Sequence, residues 1–333
     1  MPTDLISLPD WYHDFLTLCD QDWITRTRIH PLKTFDTQAP GGVWVKREDE
    51  SGFGISGTKK RKYASIIQAL RTEGVREVSL VGGSRSNHIV GMLQILKELD
   101  IRPKLFLKEE HSAKLTGNRF LLDLLADPDS ITWVPSERWH AVNVQAISWA
   151  MESFETRTSI PEGGSYHQAV PGLASLLGEI VDQETELGRP FDHIWMDAGT
   201  GFSAAVTAVM MHLVDHPAKL HVVMAAGTAE EFQKQMNETH EIQSITYDLD
   251  LAHPPLPDLI DPATAKSFGA VNATIRQYVR DFAQREGILL DPIYTAKLFY
   301  TFEQLHPLFP PEERHLVIHS GGGTGLMGFA GMI

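Results

Sequence analysis

Two observations predict an α/β fold with parallel sheets covered by helices on both faces. Short apolar, β-branched runs alternate with helical patterns along most of the chain, and three of those runs end in loops rich in Gly and small polar residues. Such loops lie beyond the carboxyl ends of strands, where ligands of these sheets collect. A length of 333 residues suffices for about two domains around substantial cores.

The elements follow in order. Residues 46–62, KREDESGFGISGTKKRK, hold a Gly/Ser-rich turn and then Lys59, Lys60 and Lys62 where a helix begins. Tyr63, Ile66, Ile67 and Leu70 continue it at i, i+3, i+4 and i+7; Ser56 or Thr58 is expected to cap it and Gly74 to close it. Residues 78–81 read as a buried strand ending at Gly82-Gly83, 89–99 as a helix, and 104–107 and 131–134 as strands. The pattern over 139–157 is helical. Further on, 193–196 is a strand, 203–213 a helix, 220–225 a strand, 295–305 a helix and 315–319 a strand.

The chemistry sits at the joints. A lysine at a helix mouth lies near unpaired backbone N–H groups and the positive end of a dipole, so its amine holds a proton less tightly and is suited to Schiff-base formation. The same residues also read as a solvated basic first turn. In the loop 82–88, hydroxyls and N–H groups at a helix start offer a carboxylate seat, or simply make a tight turn. The loop 197–205, DAGTGFSAA, combines backbone that can approach an anion with the hydroxyls of Thr200 and Ser203. It is neither a Walker loop nor a dinucleotide G-x-G-x-x-G. The loop 319–325, HSGGGTG, suits contact with a flat group.

Bulk properties narrow the partners. A formal net charge of −14 argues against nucleic acid and anionic membrane. No apolar run reaches the ~20 residues of a span, and no basic-then-apolar leader is visible. Cys19 is the sole cysteine, which excludes an internal disulfide and fits a reducing cytoplasm. The histidines lack ligand spacing, so no metal is expected.

Taken together, KREDESGFGISGTKKRK, VGGSRSNHIVG, IPEGGS, AGTGFSAAVTA, DPIYTAK and IHSGGGTGL resemble the fold type II pyridoxal-phosphate enzymes. The branch they are most similar to is the 1-aminocyclopropane-1-carboxylate deaminase and D-cysteine desulfhydrase group. The motifs occur in the family's order, from about residue 30 to the C-terminus.

The resemblance implies a tryptophan synthase β-like fold: two open, twisted, mostly parallel sheets flanked by helices. A large cofactor domain of residues 1–54 and 166–333 would receive an inserted small domain of residues 55–165. A cytoplasmic homodimer is expected. By the family pattern Lys59 is the Schiff-base lysine, Lys62 lies near the cofactor phosphate and Lys60 is a surface residue. Asn87 stands against the cofactor's phenolic oxygen, and Ser86, Asn87 and His88 hold the substrate carboxylate. Gly199, Thr200, Gly201, Phe202 and Ser203 form the phosphate cup, with Phe202 where the family usually has glycine. Tyr294 is an acid or a stacking group over the substrate, and no second tyrosine occurs within 266–270.

Residue 295 chooses between reactions. The deaminase branch has a glutamate there, facing the pyridine nitrogen; here Thr295 or Thr324 would offer that nitrogen a neutral hydroxyl. A less electron-hungry ring suits elimination, with the freed Lys59 amine as base for Cα–H abstraction. The expected reaction is α,β-elimination of a small D-amino acid, D-cysteine first, giving pyruvate, ammonia and sulfide. The alternatives are ring opening of 1-aminocyclopropane-1-carboxylate to 2-oxobutanoate and ammonia, and a non-catalytic protein that binds a phosphorylated metabolite.

Overall fold

The computed structural model describes residues 5–35, 41–110, 115–247 and 253–333. Helix α1 (Asp10–Leu16) drives Tyr12 and Phe15 into the core, and the Tyr12 hydroxyl donates to the Ala174 carbonyl at 2.5 Å. Strands β1 (Ile29–Pro31) and β2 (Gly42–Arg47) form an antiparallel pair. Helix α2 (Thr58–Thr72) leads to β3 (Glu77–Gly83), α3 (Asn87–Glu98), β4 (Arg102–Lys108), α4 (Asn118–Leu125), β5 (Ile131–Val134), α5 (Val142–Met151) and β6 (Arg157–Ile160). These four strands make a parallel sheet in the order β5-β4-β3-β6.

The chain then returns through α6 (Val170–Glu186), β7 (His193–Ala198), α7 (Phe202–Leu213), β8 (Lys219–Met224), α8 (Ala229–Tyr247), β9 (Asp258–Ile260), α9 (Ala273–Glu286), α10 (Thr295–Leu305), β10 (Arg314–His319) and the short α11 (Gly323–Leu326). The second sheet runs β1-β2-β10-β7-β8-β9 and is parallel apart from β1. Two mostly parallel sheets flanked by helices are therefore present, as the sequence predicts.

Side chains along the central strands alternate between two cores, as period-2 geometry requires. Ile194, Met196, Leu316 and Ile318 enter a cluster that also holds Ile66 and Ile67 of α2, Val78 and Leu80 of β3, and Leu176 and Ile180 of α6. Trp195, Val317 and Val45 face the opposite way, onto Phe282 of α9 and Phe299 and Phe302 of α10. One apolar core thus touches both sheets, and α2 and α6 lie within it.

Local differences from the sequence reading have physical causes. Helix α2 begins after Gly57, so neither Ser56 nor Thr58 caps it by a side chain. Gly57 has φ +75, and a Cβ there would stand 2.0 Å from the Ser320 carbonyl oxygen. That carbonyl accepts the Thr58 N–H at 3.1 Å, so the end of β10 does the work of a cap. Gly74 closes the helix at φ +65, as expected. The helical pattern of 139–157 is overextended: α5 stops at Met151, a turn follows, and Arg157 opens β6, paired with β3 from Glu77 to Leu80.

Candidate active site

The loops after β3, β7 and β10 and the N-terminus of α2 converge on one cleft. Its floor is lined by Lys59, Tyr63, Asn87, Gly322 and Thr324. Lys59 and Lys62 are i and i+3 on α2 and share that face. Burial lowers the proton affinity of the Lys59 amine, while the carboxylates of Asp197 and Asp291 oppose the effect. Lys62 is 3 % exposed. Burial, helped by the charge on Lys59, pulls Lys62 down to about 7. Its Nζ donates to the Gly163 carbonyl at 3.0 Å and lies 5.2 Å from the centroid of the Phe202 ring. Lys60 is turned away and donates to Thr25 and to the Ser51 carbonyl.

Residues 199–203 form an anion seat. Gly201 has φ +86 and precedes the 12-residue α7, whose first N–H groups have no intrahelical acceptors. Phe202 is buried as the first helical residue, so it contributes main chain at the mouth and places its ring beneath Lys62. Thr200 is exposed, and Gln235 holds its carbonyl at 2.7 Å. Gly163 packs against Thr200, and Tyr294 packs against Gly199, where an added Cβ would meet the ring at 2.8 Å. Burial and the nearby carboxylates of Asp291 and Asp197 raise the Tyr294 phenol, keeping it protonated.

Ser86, Asn87 and His88 open α3. The Ser86 Oγ accepts the N–H groups of His88 (3.1 Å) and Ile89 (3.4 Å), so it is the N-cap and only its hydroxyl proton is left to give. His88 is 1 % exposed, and its Nε2 is buried without a partner. Burial, with Lys62 and Lys59 nearby, pulls the imidazole down to about 3, so the ring is neutral. The Asn87 Oδ1 accepts from the Asn118 amide at 2.6 Å and from the Thr324 hydroxyl at 3.5 Å, leaving its Nδ2–H free.

Thr295 departs from its expected role. It is fully buried; its hydroxyl donates to the Asp291 carboxylate at 2.8 Å and accepts the Asp291 N–H at 2.9 Å. Thr324 lines the cleft, beside the Asn87 amide. Of the two threonines considered for the pyridine nitrogen, Thr295 therefore presents no hydroxyl to the cleft.

A family model described as "Pyridoxal-phosphate dependent enzyme" matches residues 21–321. The chain belongs to that family. This pyridoxal-phosphate enzyme is 24 % identical over 314 residues to the 1-aminocyclopropane-1-carboxylate deaminase of Rhizobium radiobacter, covering 88 % of this chain and 91 % of that one. It is 25 % identical over 307 residues to the D-cysteine desulfhydrase of Salmonella typhi, covering 86 % and 88 %. A crystal structure of an ACC deaminase homologue superposes with a TM-score of 0.82 over 98 % of each chain at 23 % identity, which shows a shared fold.

The residues present fit pyridoxal phosphate. An amine of lowered proton affinity and an amide with an N–H to give line the cleft, and a second lysine on the same helix reaches the mouth of α7, where the anion seat lies. Four further residues escaped the sequence reading. Ser320 donates to the Asp197 carboxylate at 2.5 Å, and burial pushes Asp197 up to about 6 against that hydrogen bond. Both lie in loops singled out for their glycines, so the signal was adjacent. Asp291 accepts the N–H groups of Ile293, Tyr294 and Thr295 and fixes the start of α10. Asn118 had no sequence signal at all.

Proposed function

We propose that this enzyme catalyses α,β-elimination from a small D-amino acid with a leaving group on Cβ, D-cysteine first, to pyruvate, ammonia and sulfide. The choice rests on residue 295: the resemblance to the deaminase branch calls for a glutamate facing the ring nitrogen, and this chain has a threonine whose hydroxyl is engaged by Asp291. Pyridoxal phosphate, when bound, supplies an electron sink for charge developing at Cα.

The chain's own groups do the rest. Lys59 would hold the cofactor, and its amine would serve as the base for the Cα proton; its lowered proton affinity keeps the neutral form accessible. The N-terminus of α7 and Lys62 would hold the phosphate, with Gly199, Thr200, Gly201, Phe202 and Ser203 as the cup. The Asn87 Nδ2–H would donate to the phenolic oxygen. The hydroxyl proton of Ser86 and the unpartnered Nε2 of His88 receive the substrate carboxylate, and Tyr294 closes the cleft over the reacting centre. Residues 55–165 act as the small domain whose approach excludes water, and the working unit is a cytoplasmic homodimer.

A second reading, ring opening of 1-aminocyclopropane-1-carboxylate, is favoured by the protonated phenol of Tyr294, which can deliver a proton to an opening ring. Incubating the holoenzyme with each substrate and measuring sulfide with pyruvate, or 2-oxobutanoate, separates the two. Release of 2-oxobutanoate alone would overturn the desulfhydrase assignment. Lys59→Ala is expected to abolish visible cofactor absorbance and turnover together while folding survives, with a melting temperature close to that of the wild type stripped of cofactor.

A further inference from the structure

We infer that Asn118 is a positioning residue that sets which end of the Asn87 amide faces the cofactor. The inference rests on the reading of Asn87 as the partner of the phenolic oxygen. Asn118 is the first residue of α4 and is 2 % exposed. Its Nδ2 donates to the Arg85 carbonyl at 3.0 Å and to the Asn87 Oδ1 at 2.6 Å.

The polarity of this chain of bonds is fixed at one end. A backbone carbonyl can only accept, so the Asn118 atom facing Arg85 must be its NH2. That same NH2 faces Asn87, so Asn87 must answer with its oxygen. The Thr324 hydroxyl reaches the same oxygen at 3.5 Å. Turning the Asn87 amide over would set NH2 against NH2. Its donor end is thereby locked away from Asn118.

The arrangement is a poor choice for stability alone. The Asn118 Oδ1 is buried and has no hydrogen-bond partner, a deficit an apolar side chain would not carry. The backbone is also constrained to deliver this residue. Gly117 has φ +56, and a Cβ there would stand 2.6 Å from the Gly328 nitrogen; Thr116 donates to the Gly328 carbonyl at 3.3 Å. The segment before α4 is docked on the C-terminal turn, and Asn118 emerges from that contact beside Asn87.

The consequence is electronic. A donor on the phenolic oxygen draws charge from the ring, so the nitrogen joining Lys59 to the cofactor holds its proton less tightly. Losing the donor raises the pH at which the visible band of the holoenzyme titrates. Asn118→Ala frees the Asn87 amide to rotate and is expected to raise that midpoint by less than about one pH unit, with Asn87→Ala raising it further. Asn118→Asp sets an acceptor against the Asn87 oxygen, forces the amide over, and is expected to shift the midpoint more than Asn118→Ala does. Asn118→Ser retains a donor and is expected to fall between Asn118→Ala and the wild type; it serves where a larger change impairs folding.

The decisive experiment is a spectrophotometric pH titration of the four holoenzymes beside the wild type, with melting temperatures measured on the same samples. Asn118 variants that melt lower yet leave the midpoint unmoved, while Asn87→Ala moves it, would overturn the proposal and leave the Asn87 reading standing. If Asn87→Ala also leaves the midpoint unmoved, both fail.

Discussion

At position 88 an imidazole is held between the Tyr63 hydroxyl, 3.4 Å from its Nδ1, and Gly164, where an added Cβ would stand 2.9 Å from its Cε1. The ring's Nε2 has no hydrogen-bond partner among the described residues. Neutral down to about pH 3, the ring would meet a substrate carboxylate, in the role proposed for it, as a hydrogen-bond donor and not as a cation. His88→Leu is therefore expected to raise KM for the amino acid roughly 10–100-fold, the size of one hydrogen bond to a charged group, with the cofactor spectrum unchanged. An inflection of KM near pH 6.5 that vanishes in His88→Leu would contradict this. The position of His88 in the first turn of a helix was legible because it follows a strand and a Gly-Gly turn. Thr295 was legible as a departure from a carboxylate but not as the partner of Asp291, because a hydroxyl's direction depends on the turn around it. Asn118 was invisible: its meaning arises only where α4 meets the start of α3.

Helix α2 carries the lysines at a fixed rotation because a buried charge network holds its other side. Arg61 donates to both oxygens of Glu48 (2.6 and 2.7 Å) and to Glu179 of α6 at 2.7 Å, and Lys46 of β2 pairs with Glu179. All four are buried or nearly so, two cations against two anions, and Arg61 holds Glu48 below the usual carboxylate range. Such a network adds little over an apolar core, but removing one member strands its partners. Arg61→Leu is expected to cost about 3–5 kcal/mol in urea unfolding. Replacing Arg61, Glu48, Glu179 and Lys46 together with apolar residues is expected to cost less than the single change. A single variant within 1 kcal/mol of wild type would show the network to be idle. Gly172 fixes the same helix pair: a Cβ there would lie 1.9 Å from the Arg61 carbonyl oxygen. Strong periodicity made α2, α3 and α10 readable, with 295–305 matching α10 at both ends. By contrast, α5 is apolar on its exposed face too, at Val144, Ile147 and Met151, and no Gly or Pro marks its end. The helical pattern therefore ran on into β6, whose strand character comes from pairing with β3 and not from its own four residues.

Across the whole molecule, buried neutral histidines set the response to acid. His315 is fully buried, with its Nδ1 accepting from the Trp195 indole at 3.2 Å. Burial, together with His193, His306 and His221, pulls it down to about 3. His221 is pulled to about 4 by burial and by His193, against the pull of Asp258, with Lys219 also facing it; His88 lies at about 3. In the unfolded chain all three return to about 6.5. Between about pH 6.5 and 3 the unfolded state binds more protons, so the stability these groups contribute is complete above 6.5 and drains away as pH falls. Asp197 works the other way. Raised to about 6, it adds stability as pH drops through that value, one group against three. Among these four groups the balance near pH 5 is about two protons in favour of unfolding, on the order of 2–3 kcal/mol per pH unit. The melting temperature of the protein without cofactor is thus expected to fall steeply from pH 7 to 5. His315→Phe, placed among Trp195, Phe302 and Phe309, removes one of the three protons. It is expected to lower the melting temperature at pH 7.5, where it leaves the indole N–H unpaired, and to flatten the decline toward pH 5. A decline as steep as that of the wild type would mean that the imidazole at 315 is already charged in the folded protein, and that the aromatic box around it is wet.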